Sequence, residues 1–249
     1  MEIRANRMNR VEPGEPLAFP DMAAGGTAAL TPLSGTPCQV ADGGAAPTEL
    51  GGYSASWQSA AGSRKTATVE VVASHYFTLD ELAAEDRDGE CDGMPERDLA
   101  AVRQAVEEVF ERACKRSFTR RVARSVVHAH ATGLVELPWV DVVSATATAM
   151  DGSPVTCELV GDCQARVDAD RAVVTATYGL ETCPDEVRLA CIAYALYRLR
   201  PDSRPSNAVG QSTDYGFVRF SLAGRDGATG LVEVDAVIKA WSRTGVTVL

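Results

Sequence analysis

The stretch Cys183–Arg200, CPDEVRLACIAYALYRLR, decides how the rest of the chain is read. Pro184 suits the first turn of a helix, where its missing N–H is no loss, and Asp185 and Glu186 stand at the positive end of the dipole. Beyond them Val187, Leu189, Ala190, Ile192, Tyr194, Leu196, Tyr197 and Leu199 leave only a narrow polar strip on a helix over 184–200. A helix so apolar must be covered on more than one side. With few other helices in the chain, the cover is expected from another subunit. Pro201 and Pro205 end the helix.

Upstream, Leu99, Val102, Val106, Val109 and Ala113 recur at alternating spacings of three and four, one apolar stripe on a long helix over 95–116. Its outer face pairs Glu108 with Arg112 and Glu111 with Lys115 at i,i+4. These two helices offer the largest apolar faces and are expected to pack as the centre of the fold. A short helix over 78–85 takes its N-cap oxygen from Thr78. A last one is expected over 234–241, after a Ser/Gly/Asp-rich loop from Asp202 to Gly230 with an extended stretch Phe217–Leu222.

Between the long helices, residues 119–178 read as short strands, with Asp151-Gly152 a hairpin signal. Strands parted by tight turns imply an antiparallel meander rather than βαβ units. Residues 1–68 differ: they are rich in Ala, Gly, Thr and Pro and show little apolar periodicity. Two readings stand, a flexible leader or an extended arm that lies on neighbouring subunits, anchored by Leu17, Phe19, Leu30, Leu33, Tyr53 and Trp57. The expected class is therefore α+β: a helical core with an inserted β meander and an extended N-terminal arm over 1–68, ahead of a globular domain over 69–249.

A net charge of -10 in 249 residues argues against a protein whose main work is gripping phosphate, and the aromatic share of 6% is low for base stacking. No apolar run approaches the roughly 18 residues that span a bilayer. Seven cysteines, with no CxxC, read as reduced thiols. His128 and His130 share a strand face and could chelate a metal with Cys157 or Cys163, but the spacing matches no named zinc module. A Cys183/His128 nucleophile pair has no signature around it. Asp86, Asp88, Glu90 and Asp92 faintly resemble a calcium loop, yet Cys91 and Arg97 stand where the sixth-position glycine and twelfth-position glutamate belong. Gly224, Gly227 and Gly230 are evenly spaced but do not lead from a strand into a Rossmann helix. No catalytic, cofactor or metal residue is assigned from these patterns, and no enzyme activity is expected.

The order of the pieces is more telling. Leu137-Pro138-Trp139-Val140-x-x-Val143, then Asp151-Gly152-x-x-Val155, then Val173-x-x-Ala176-Thr177-Tyr178-Gly179, then Cys183-Pro184-Asp185-Glu186-Val187-x-x-Ala190 follow an amphipathic helix. Arg219-Phe220-Ser221 and Thr229-Gly230-x-x-Glu233-Val234-Asp235-Ala236 come after them. Together, over 69–243, they resemble the head-to-tail adaptor (connector) proteins of long-tailed bacteriophages. Asp141 departs from the family pattern, which has a second proline there, and residues 1–68 have no counterpart in it. The resemblance implies a structural virion protein assembled in the host cytoplasm. It would form a ring of about twelve subunits under the portal, bind a stopper or tail-completion protein below, and line the path of double-stranded DNA without reading its sequence. A net charge of -10 per subunit would keep such a lining from sticking to phosphate. The residues expected at subunit or portal contacts are Tyr194, Leu196, Tyr197, Phe217, Phe220, Leu222, Leu231 and Trp241. Alternatives are another neck part, a stopper or tail terminator, or a small-molecule enzyme on an α+β scaffold.

Overall fold

Residues 1–68 are not an arm. In the computed structural model, which describes residues 1–33, 36–130, 132–200, 210–213, 216–219 and 227–243, this region is a sheet with its own core. Its strands are β1 (Met8–Val11), β2 (Pro16–Leu17), β3 (Thr27–Pro32), β4 (Cys38–Ala41), β5 (Gly44–Ala45), β6 (Gly51–Gln58) and β7 (Arg64–Val71). Five of them lie in the order β1-β7-β6-β3-β4, with β1 parallel to β7 and the other pairs antiparallel. Period-two alternation builds it: β6 turns Tyr53, Ala55 and Trp57 inward and Ser54 and Gln58 outward. The signal is faint in sequence because alanine and glycine fill inward positions that larger side chains usually mark. The glycines work at the turns, as Gly62 does between β6 and β7 with φ +81, a conformation that side chains with a Cβ rarely adopt.

The chain divides into two compact units, one of Met1–His75 with Ser117–Thr182, the other of Tyr76–Arg116 with Cys183–Leu249. The first unit adds to the N-terminal sheet seven more strands: β8 (Arg121–His128), β9 (Leu134–Glu136), β10 (Ser144–Ala149), β11 (Pro154–Val155), β12 (Cys157–Leu159), β13 (Gln164–Val167) and β14 (Arg171–Tyr178). All their pairings are antiparallel, but they are not a meander. They form two sheets, β11-β10-β14-β8 and β12-β13-β9, around one core that includes Val127, Val135, Ala147, Val167 and Val174. The Asp151-Gly152 turn closes β10 onto β11, with Gly152 at φ +88 and Asp151 accepting from the Ser153 N–H at 2.9 Å.

A buried charge cluster ties these sheets to the N-terminal one. Glu70 of β7 accepts from Arg10 Nε at 3.4 Å and from Arg121 of β8 through Nε, at 2.8 Å, and Nη2. The Arg121 guanidinium lies 6.0 Å from the Tyr178 ring centre, and Tyr178 stacks on Trp139 at 5.6 Å. The cluster thus holds three charged groups that water barely reaches, with the Tyr178 and Trp139 rings on the Arg121 side, a burial tolerable only because the carboxylate is paired.

The second unit holds α1 (Leu79–Glu85), α2 (Glu96–Cys114), α3 (Asp185–Leu199), a hairpin of β15 (Gly210–Thr213) and β16 (Gly216–Arg219), and α4 (Val232–Trp241). Thr78 caps α1 in a full capping box: its Oγ1 accepts the Glu81 N–H at 3.1 Å while the Glu81 carboxylate accepts the Thr78 N–H at 2.7 Å. In α2 the buried line is Ala100, Arg103, Glu107, Phe110 and Cys114 with Val106 and Gln104, one residue or about 100° round from the apolar stripe read in sequence. Polar side chains occupy that line because they have inward partners, Glu107 accepting the Tyr76 N–H at 3.0 Å. Helices α1, α2 and α4 all pack on α3 or on one another. The expected helical core of an α+β fold is thus corrected: among the described residues sixteen strands stand against four helices, with the four helices in one compact unit and fourteen of the strands in the other, larger one. No helix among the described residues is long and apolar enough to cross a membrane.

Candidate functional site

The cover that α3 was expected to need comes largely from within its own unit. Val187, Ala190, Cys191, Ile192, Tyr194 and Ala195 are buried. A line at i, i+4 and i+8 is left over: Leu189 is 49% exposed, Ala193 is exposed and Tyr197 is 39% exposed, with Leu196 half-buried beside them. This unpartnered apolar line is the candidate interaction surface. The α1 helix and the loop after it border it. Arg188 joins Glu81 at 2.7 Å and Asp185 at 3.0 Å, and Arg200 joins Asp88 at 2.6 Å and Glu90 at 3.3 Å. The same contacts explain the acidic loop. Asp86, held below the usual carboxylate range by the Cys91 N–H that it accepts at 2.6 Å, serves to close the turn, and Asp88 and Glu90 serve Arg200.

The other residues expected at contacts are placed unevenly. Tyr194 is buried, with the Arg198 guanidinium 5.8 Å from its ring centre, so it faces the unit's own core. Trp241 is half-buried; its Nε1 donates to Glu186 at 2.5 Å and Arg116 lies 5.7 Å from its ring centre. Leu231 is half-buried at the start of α4. Phe217 lies in β16, and Phe220 and Leu222 lie outside the described residues. Phe19, Tyr53 and Trp57, read as arm anchors, are at most 5% exposed inside the N-terminal sheet, Phe19 and Trp57 with ring centres 5.3 Å apart. Leu17 and Leu30 are buried there too, and Leu33 alone of that set is exposed.

The chemical candidates are not assembled into sites. His128 and His130 are exposed, and among the described residues no group of three or more His, Cys, Asp or Glu side chains could hold a metal. Burial, followed by the Glu107 carboxylate, pushes the Cys183 thiol up to about 12, so it is not a thiolate at neutral pH. The loop of Gly227 and Gly230 already holds an anion of its own: the Asp235 carboxylate accepts the Thr229 N–H and Oγ1–H, both at 2.9 Å, and the Gly230 N–H at 3.1 Å. A Cβ at Gly227 would stand 1.9 Å from Asp235 Oδ2, which accounts for the glycine. A cleft of about 190 Å³ lined by Leu33, Gly51, Tyr53, Arg124 and Thr175 is smaller than the usual ligand site of about 300 Å³ or more. A wider depression of about 340 Å³ over β3, β4 and β6 offers Gln39, Ser56, Gln58 and Arg64 but no carboxylate, histidine or cysteine.

Two of the motif pieces, 137–143 and 173–179, meet. Trp139 stacks on Tyr178, the Val143 N–H donates to Thr177 O at 2.9 Å, and Gly179, at φ +93, leaves room for Thr119 O, which a Cβ would approach to 2.2 Å. Sequence reading missed the open line on α3 because periodicity marks a helix as apolar without saying which face its neighbours take.

No family model matches the chain, and no curated protein does. Two solved structures are similar to it. One is a chain from the neck of an empty gene transfer agent particle computed with C6 symmetry, at 19% identity over 69% of this chain and 91% of that one, with a TM-score of 0.48. The other is a chain from the virion of a native gene transfer agent particle, at 18% identity with the same coverage and TM-score.

Proposed function

We propose that this chain is a structural, non-catalytic neck protein of a tailed-phage-type virion, a head-to-tail adaptor that forms a ring of about twelve subunits between the portal and the stopper. The neck is the setting named for the first of the similar chains; the reading itself rests on this chain's residues. The observation that carries it is the open line Leu189, Ala193 and Tyr197 on α3, apolar surface of the kind that marks a protein contact rather than a solvated face. The ordered motif series of the adaptor family supports the same reading, since its pieces at 137–143 and 173–179 lie together in one place.

In such a ring the subunits would hold one another through α3, and the acidic surface would leave DNA free to slide. Light scattering on the purified chain, alone and with its portal, tests this. A ring mass is expected, and Leu189→Asp should reduce it to that of one chain. A single-chain mass under both conditions would overturn the reading.

A further inference from the structure

The register of the sheet β11-β10-β14-β8 sets Ser144–Thr177–Val122, Thr146–Thr175–Arg124, Thr148–Val173–Val126 and Arg171–His128 in successive rows on the face turned away from its core. Val126 is 43% exposed and Met150, just past β10, is 53% exposed, while Arg124, His128 and Arg171 are exposed. No position in these rows is a carboxylate, although the chain as a whole is acidic; the exposed Glu49 stands at the edge of the face, lining the cleft that Val122, Arg124 and Thr175 share. The face is therefore an apolar and threonine-lined patch with a cationic margin. The α3 line is its counterpart: Leu189, Ala193 and Tyr197 lie beside residues 80–98, which hold nine carboxylates against Arg87 and Arg97. Arg188 and Arg200 fasten that segment to α3 through Glu81, Asp88 and Glu90.

We propose that the cationic sheet face of one subunit receives the α3 line and acidic α1–α2 segment of a second copy. This rests on the ring assembly proposed above and names its contact. Charge decides the pairing. Two copies meeting α3 to α3 would bring two acidic margins together, and two sheet faces would bring arginines together, each a like-charge juxtaposition that costs affinity. Only the unlike faces match in both apolar centre and charged margin. A contact between two different faces is heterologous, the type that closes into rings.

The test compares the wild-type chain with Arg124→Glu/Arg171→Glu and with Glu85→Lys/Asp92→Lys, following assembly mass against concentration at low salt. Each reversal is expected to raise the concentration of half-assembly about tenfold or more, because it sets like charges against each other across the contact. All four changes in one chain should restore assembly near the wild-type concentration. Melting temperatures check folding, and Arg171→Glu alone replaces the first pair if loss of the Arg124 hydrogen bond to Leu33 O lowers stability. If the reversals leave assembly unchanged while Leu189→Asp abolishes it, the ring stands and this contact is wrong. A wild-type chain that never assembles overturns both. If the arginine variant assembles normally but no longer retains duplex DNA, the face serves nucleic acid and the proposal fails.

Discussion

In the N-terminal sheet the core is made of four alanines, seven branched aliphatics and the rings of Phe19, Tyr53 and Trp57, and all of them are closed off from water. Helix α3 is far more apolar by composition, yet it leaves Leu189 and Tyr197 standing in solvent. The first region is a finished core made of modest material; the second is rich material left unfinished. Apolar content is thus a poor guide to whether a segment folds by itself. What matters is whether strands or helices close the surface that each one opens, as β7 does in this sheet by pairing with both β1 and β6.

The largest expected effect would break that contrast. Trp57→Ala should destabilise the free chain by about 3–5 kcal/mol, the cost of emptying a large aromatic site, read as a lower urea midpoint. An unchanged midpoint would return residues 1–68 to the status of an arm. Next comes the charge cluster. Glu70→Gln leaves Arg10 and Arg121 without their carboxylate and should cost about 3 kcal/mol, again in urea unfolding, with Arg10→Met in the same chain recovering part of the loss.

Smaller effects sharpen the helical side. Thr78→Ala removes the cap of α1 and should cost about 1 kcal/mol, seen in thermal melting. The Glu81 carboxyl is held below the usual carboxylate value, chiefly by the Thr78 N–H. Its contribution is present above the pKa of the unfolded chain and is lost as pH falls through the lower folded value. Glu81→Gln should therefore flatten this part of the acid limb of a stability–pH curve. The smallest effect is expected where assembly changes most: Leu189→Asp should shift the stability of the free subunit by no more than about 0.5 kcal/mol.

The helices were legible to within a residue or two because Pro95, Pro184 and Thr78 are local signals and need no partner to act. The strands between 121 and 178 were legible from turns such as Asp151-Gly152. Their order was not, because the pairing of β9 with β13 and of β8 with β14 depends on surfaces far apart in sequence. The buried line of α2 was misplaced for the same reason: Glu107 looks solvent-bound until the Tyr76 N–H is known to meet it. Of the candidate contact residues, Tyr197 and Leu196 fall on or beside the open line, whereas Tyr194, one step round the helix, faces inward.

Strand β14 lies between β10 and β8 but is the last of the three to be synthesised. On the ribosome the chain emerges from its N-terminus, so β8 and β10 wait with unpaired edges until Tyr178 has appeared. The N-terminal sheet, complete by Val71, can form long before that. A nascent or prematurely ended chain therefore has a folded front end but no four-stranded face to offer, and its α3 is not yet made. In the ring proposed above, such a product would lack both the sheet face and the α3 line that a neighbouring subunit needs.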